Sequence, residues 1–469
     1  MSSDPTASPP PPATPSPAPV LATPGAIDWS PLVKLAVGSA LVGAALYVGV
    51  GITNLSAASG EHAKHAAQAR FTSAYLTGFT YWLSLPIGAM ALLLIGHLAK
   101  TSWGLLLRRP FEAASRTWPL LFVLFLGLAA ATASQHYSPY YWTHPEDLPE
   151  EPRVNAASPG ADAAPGNKRE LAIAYGKYMI DKAEAEARKT RDEGNNGFLT
   201  VKAFVGVGIA LFAIWAVMIT LLNKWSRQAV GSREQVETAL GKLNAFAGPG
   251  IIVYALTITA AATQWVMSAE AGWSSTMFPV IFAVNQFLTT FAFSLTLFLA
   301  IVSQPQIAKV MRPKFQIDMG TLLLAFTLFW TYTSFSQFML VWVGNLPEEI
   351  PFYLKRSYGG WWWVSAALAV LHFAIPFLLL LFRDIKMHPV RLRRVAMYLV
   401  VICGLDVVWW NAPVAPQDNT FPTWLMDVGA ILAIGGVWAL YFFYELKKRD
   451  IIPYDETYLL PEGHHHESH

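Results

Sequence analysis

The sequence predicts an all-α polytopic membrane protein with about ten transmembrane helices. Three observations carry this. Only 14% of the 469 residues are charged and 54% are hydrophobic, where a soluble domain carries about 25% charged residues. Ten apolar runs follow one another, most of them near the ~20 residues that a membrane helix needs. The Lys and Arg residues of the short loops fall almost entirely on alternate connections, as the positive-inside rule requires.

The chain opens on residues 1–26, rich in Pro, Ala, Ser and Thr. This composition cannot bury a core and reads as a disordered cytoplasmic tail. No Lys or Arg precedes Lys34, so the stretch makes a poor signal peptide. Residues 27–134 hold the first three runs, Leu32–Asn54, Ser73–Ala99 and Thr117–Ser134. Residues 135–198 form the one long loop. Its half from Tyr137 to Gly166 is Pro- and Ala-rich and reads as irregular. Its second half predicts an amphipathic helix, with Leu171, Ala174, Tyr175, Tyr178 and Met179 on one stripe. Asn167 with Glu170 would cap it and Gly194 would stop it. Lys182–Glu186 and Glu184–Arg188 would pair on its wet face. Such a helix either lies on its own bundle or offers a docking surface to a partner.

Residues 199–446 hold seven further runs: Leu199–Leu222, Phe246–Met267, Met277–Val302, Met319–Val343, Trp361–Phe382, Val395–Trp410 and Trp424–Tyr444. Residues 447–469 form a tail that ends in clustered His464, His465, His466 and His469, which a mobile terminus seldom closes into a metal site. One side of the membrane receives Lys100, Arg108, Arg109 and Arg116; Lys224, Arg227, Arg233 and Lys242; Lys309, Arg312 and Lys314; Arg383, Lys386, Arg391, Arg393 and Arg394; and Lys447, Lys448 and Arg449. The other receives only Lys64, Arg70, Lys355 and Arg356. Both termini are therefore expected in the cytoplasm.

Several function classes fall away. A net charge of +2 gives no footprint for nucleic acid. The single cysteine, Cys403, can form no intrachain disulfide and hold no iron–sulfur cluster, and no CxxCH haem site occurs. His97 and His372 stand roughly 15 Å apart along the membrane normal at ~1.5 Å per helical residue, too far to share one iron. The chain is thus expected to bind no haem, cluster or metal.

What remains is a set of ionisable residues near or at membrane depth, where such groups are costly and usually functional. Glu270, Glu348, Glu349, Asp406 and Asp427 lie toward the outer face, His97 and Asp318 toward the inner face, and His372 midway. Asp427 and Asp318 could simply serve the N-termini of their helices. Asp406 and His372 are near no loop, and a membrane-buried Asp must be protonated or paired. The pattern reads as two proton half-paths that meet in mid-membrane, through Asp406, His372, His97, Asp318, Glu270 and Asp427.

Between the seventh and eighth runs lies a polar hairpin that cannot sit in hydrocarbon, Asn345-Leu346-Pro347-Glu348-Glu349. With Ser336-Gln337-Phe338 before it and Tyr353-Leu354 after it, it resembles the SQ…NxPEE-x-x-YL signature of the ActF family, the second NrfD/PsrC-like membrane subunit of Alternative Complex III. His372-Phe373-Ala374-Ile375-Pro376-Phe377 resembles the segment that follows. Trp103 to Ala114 is similar to that family's WG-x3-RRPxEAA loop, Trp265 to Phe278 to its WxMSL…HWxSTxF segment, and Leu405-Asp406 with Trp409 to its LDxxW. The likeness spans about Tyr75 to Leu460. It departs at Ala269-Glu270-Ala271-Gly272, and at Cys403, where the family pattern leads one to expect an Arg.

The resemblance implies two four-helix bundles plus flanking helices and a place in a quinol:cytochrome c oxidoreductase. There the chain would serve as scaffold and proton path. Its partners would be a paralogous quinol-binding subunit, an iron–sulfur, molybdopterin-like periplasmic subunit, multihaem cytochrome c subunits and small membrane subunits, within lipid. Quinone or menaquinone would bind nearby in a bacterial inner membrane, with haem c and iron–sulfur clusters on the partners. Two other readings stay open at this point: a quinone-binding anchor of another NrfD-type oxidoreductase, and a secondary transporter with helices broken at Pro86 and Pro376.

Overall fold

The computed structural model describes residues 27–134, 136–144, 168–192, 197–304, 307–308, 311–357, 360–413 and 423–453. The expectations for the N-terminal tail, for the Pro-rich part of the long loop beyond His144, for Asn167 and Gly194, and for the His-rich terminus lie outside these residues. Among the described residues the chain is helical and contains no strand. All ten apolar runs form helices. Eight helices are long and apolar enough to cross a membrane, so the chain is a multi-pass membrane protein.

The first run is α1, Ser30–Ala57. The second is α2, Glu61–Ala99, whose 39 residues span ~58 Å at 1.5 Å each. It therefore begins twelve residues before the apolar run and carries Arg70 within the helix rather than in a loop. Pro86 sits inside it without interrupting it. Short helices α3, Ser102–Leu106, and α4, Arg108–Ser115, lead into α5, Trp118–Ala133. The loop helix is α6, Lys168–Asp192. Then come α7, Val201–Gln228, and α8, Arg233–Ala261, the latter opened by a capping box between Ser232 and Gln235. The bundle continues with α9, Phe278–Ile301, and α10, Pro313–Gly344. The hairpin and the short α11, Ile350–Lys355, connect α10 to α12, Trp361–Leu368. A π-helical stretch, Ala369–Ala374, joins α12 to α13, Ile375–Leu381. After α14, Arg383–Met387, come α15, Pro389–Asn411, and α16, Trp424–Leu446.

Helices α10 and α15 fall short of the apolar character of the other eight. Their sequences explain it. From Thr327 onward α10 is crowded with hydroxyl and amide residues, Thr331, Thr333, Ser334, Ser336 and Gln337, and α15 opens on Arg391, Arg393 and Arg394.

The centre of the bundle is α9, with 78% of its apolar window buried against 22% for α1. It packs on α2, α10 and α15, and α2 in turn packs on α8 and α16. So central a helix has little lipid face, and its buried polar residues must find partners on neighbouring helices. Thr290 Oγ1 donates to the Ser84 carbonyl at 2.8 Å, and Tyr254 Oη donates to Gln286 Oε1 at 3.2 Å.

The peripheral α1 is held by close approach to α16. A Cβ built on Gly436 would stand 2.4 Å from the Ala36 carbonyl oxygen, and one on Gly429 would stand 2.6 Å from the Tyr47 nitrogen. Small residues let membrane helices approach closely enough to gain dispersion contact, because lipid gives no hydrophobic drive between them. Gly436→Val should therefore destabilise the fold by ~1–3 kcal/mol through overpacking. Gly38→Val, where an added Cβ meets nothing within 4 Å, should be tolerated. Equal thermal stability of the two variants in detergent would contradict this account of the contact.

Candidate functional site

The π stretch that carries His372 follows from the sequence. Pro376 has no N–H to offer the carbonyl four residues back, which is that of His372. The ladder widens instead, and the Ile375 N–H reaches the Val370 carbonyl, five residues back. The widened turn presents His372 inside the bundle, fully buried.

Around it the structure assembles a continuous string of side chains. The His372 ring stacks on the Trp330 indole, centroids 3.6 Å apart and planes 25° from parallel. Trp330 Nε1 donates to Asp406 Oδ2 at 2.8 Å, and Asn285 Nδ2 donates to the same oxygen at 2.9 Å. Thr289 Oγ1 donates to Asn285 Oδ1 at 3.3 Å. On the other side of the imidazole, Cys403 Sγ lies 3.6 Å from His372 Nε2. Four helical elements contribute: α9, α10, the π stretch and α15. Asp406 is 3% exposed and makes no ion pair with a described residue; both donors to it are neutral. His372 Nδ1 has no hydrogen-bond partner among the described residues.

Sequence reasoning singled out Asp406 and His372, and the structure joins them through Trp330. It missed Trp330 and Asn285. The adjacent amides Asn285-Gln286 in the middle of a 24-residue helix that has no other amide and no charged residue were the legible signal. Trp330 carried none, since it is one of 18 tryptophans. Cys403 faces the histidine.

The other candidate residues have surroundings of their own. Asp318 is exposed on α10, whose first residue is Pro313, so it does not cap that helix. His97 lies half-buried in the last turn of α2 and lines a cavity of about 480 Å³. Asp427 stands in the first turn of α16 but does not cap it. It is fully buried and paired with Arg70, whose Nη2 also donates to the Thr423 carbonyl at 3.0 Å. In the hairpin, Asn345 closes α10 in the left-handed conformation, φ 48°. Pro347 and Glu348 are exposed and Glu349 half-exposed.

Glu270 is the centre of a clasp. Its Oε1 lies 2.7 Å from Lys355 Nζ and its Oε2 3.1 Å from Arg356 Nη1. Lys355 Nζ also pairs with Glu184 of α6 at 2.9 Å. Arg356 donates to the carbonyls of Trp409, Trp410 and Phe352 and lies 3.6 Å over the Phe352 ring. Burial pushes the Glu270 carboxyl up, but Lys355 and Arg356 outweigh it and hold it below the usual carboxylate range. Burial likewise pulls Lys355 down, and the carboxylates of Glu270 and Glu184 outweigh that and hold it above its ordinary value. The loop helix thus lies on its own bundle. Met179 and Ala187 are buried, while Tyr175, expected on the packed stripe, is 52% exposed. Gly272, at φ 70°, lets the loop approach α6 so closely that a Cβ would stand 2.7 Å from the Ala183 carbonyl oxygen.

A second charge network closes the opposite end. Glu112 accepts from Arg108 Nε at 3.1 Å, Arg109 Nη1 at 2.8 Å and Arg449 Nη1 at 2.6 Å, and from the Ser226 hydroxyl. Arg116 pairs with Glu445 at 2.8 Å. The arginines that read as solvated loop cations are thus partly inside the protein, with Arg108 1% exposed.

Compared with family models and with curated proteins, the chain matches none.

The clasp makes a pH dependence. A carboxyl held low in the folded state contributes stability that is complete above its unfolded pKa, ~4.3 for Glu. That contribution is lost as pH falls through the lower folded-state value. Hydrogen exchange across residues 175–190 should therefore stay slow near neutrality and quicken on strong acidification. Glu270→Gln should loosen this helix already at pH 7, at a cost of ~3–5 kcal/mol for two cations left buried without their partner. Unchanged protection in that variant would remove the clasp as the anchor of α6.

Proposed function

We propose that the chain is an integral membrane subunit of a respiratory quinol:cytochrome c oxidoreductase of the Alternative Complex III type, with both termini cytoplasmic. In this reading α10 and α15 also span the membrane, making ten crossings in an NrfD/PsrC-like arrangement. Quinol oxidation and electron transfer belong to partner subunits. This chain braces the assembly and carries protons beside it. The hairpin, the arginine-rich loop before α5 and the Leu405-Asp406…Trp409 segment support the family reading.

The observation that carries the proton path is Asp406. A carboxyl inside the bundle that meets only neutral donors is free to exchange a proton, whereas Asp427 is tied up in its ion pair with Arg70. The Trp330 indole donates its N–H to Asp406 and covers the face of His372. Transfer between carboxyl and imidazole therefore needs a water or a swing of the indole. His97 stands toward the inner mouth, whereas Asp318 is exposed on α10 and lies outside the string. Glu270 and Asp427, each bound to cations, serve the outer end by fixing helices rather than by exchanging protons.

In the intact complex reconstituted in vesicles, Asp406→Asn and His372→Ala should leave assembly intact yet lower the protons moved per electron. Asp318→Asn should leave that ratio alone. Unchanged turnover and proton yield in both of the first two variants would leave only the bracing role. The orientation has its own check: a cysteine at Gly160 should react with a membrane-impermeant reagent from the periplasm, and one at His388 only after permeabilisation. The reverse pattern would invert the topology.

A further inference from the structure

The cavity beside His97 lies at the end of the bundle where the Lys- and Arg-rich connections gather. It holds about 480 Å³ between the C-terminal end of α2, the short α3 and the first turns of α8. Two cations line it, Lys100 and Arg108, together with the hydroxyl residues Thr101 and Ser102. Its walls are apolar, from Leu93, Leu105 and Leu240. The one acid on the lining, Glu237, is already matched by Arg233 at 2.8 Å. Behind Arg108, the single carboxylate of Glu112 is shared by three guanidiniums, those of Arg108, Arg109 and Arg449. On the described lining the cations Lys100 and Arg108 thus outnumber the one acid.

Lys100 stands at the mouth in an unusual way. It closes α2 in the left-handed conformation, φ 49°, with its N–H on the Gly96 carbonyl. Glycine or asparagine is the ordinary choice there, and a lysine is strained. The strain brings a cation to the lip where a glycine would serve the fold better.

We propose that this cavity binds the phosphate headgroup of an acidic phospholipid. Basic pockets between membrane helices on the cytoplasmic side suit such headgroups. Lys100 and Arg108 meet the phosphate, Thr101 and Ser102 stand beside it, and the leucine walls take the first part of the acyl chains. The shared chemistry is a phosphate anion, and the apolar walls favour its lipid form over the free ion.

Two substitutions test the site with little risk to the fold. Lys100→Gly removes the charge and relieves the left-handed strain. Gly241→Trp fills the cavity from α8, at a position where an added Cβ meets nothing within 4 Å. The full-length chain in neutral detergent is titrated with phosphatidylglycerol, phosphatidylcholine and inorganic phosphate, and bound lipid is counted by native mass spectrometry. Phosphatidylglycerol should bind in preference to phosphatidylcholine. Lys100→Gly should weaken it about fivefold, the loss of one basic residue near the headgroup, and Gly241→Trp should abolish the preference. Equal retention of the two lipids by the wild-type chain would overturn the proposal. So would unaltered phosphatidylglycerol binding in both variants, and displacement of the lipid by equimolar inorganic phosphate would assign the site to the free ion instead. Should one variant fail to fold, the other variant and the wild-type lipid comparison still decide.

Discussion

A charge that loses its water inside a membrane must find its partner within the protein, because an uncompensated buried ion costs several kcal/mol. Much of this fold answers to that constraint. At one end Glu270 gathers Lys355 and Arg356 and, through Lys355, Glu184, while Asp427 takes Arg70. At the other, Glu112 gathers Arg108, Arg109 and Arg449, and Glu445 takes Arg116. Asp427 and Glu445 lie 18 residues apart on the single helix α16, ~27 Å at 1.5 Å per residue, so the two sets bracket the apolar thickness. Each set joins segments remote in sequence. The bundle is thus tied at both rims by ions and filled between them by close-packed helices.

Against that background Asp406 stands apart. It is as buried as the clasped acids, yet its donors are an amide and an indole. Neutral donors can serve a carboxyl in either protonation state with a small change of geometry, whereas a guanidinium favours only the ionised one. The ring stacked beneath the indole donor is a second titratable group, His372. Fixed charge at the rims and a neutral, exchangeable string within are the division of labour expected of a proton-carrying scaffold.

The helices were legible because apolar runs of ~20 residues have few other uses. All ten runs became helices, and the polar hairpin became the turn between two of them. The ends were less legible. The second run reads from Ser73, but α2 starts at Glu61, because a long helix continues past the hydrocarbon once its charges have partners such as Asp427. Those partners could not be read locally, since Arg70 and Asp427 are 357 positions apart and Arg449 and Glu112 are 337 apart. Asp318 read as a cap because its helix was taken to start at Met319, six residues beyond Pro313. The π stretch left little trace in composition; only Pro376 points to it. Within the candidate site, the ionisable members stood out against apolar neighbours, and the tryptophan that joins them did not.

The central claim, that Asp406 exchanges a proton during turnover, has a direct spectroscopic reading. Infrared difference spectra of the intact complex, taken between quinol-reduced and oxidised states, should contain a carboxyl C=O band that shifts in D₂O. That band should be absent in Asp406→Asn and displaced in His372→Ala. A spectrum in which Asp406→Asn leaves every carboxyl band in place would contradict the account.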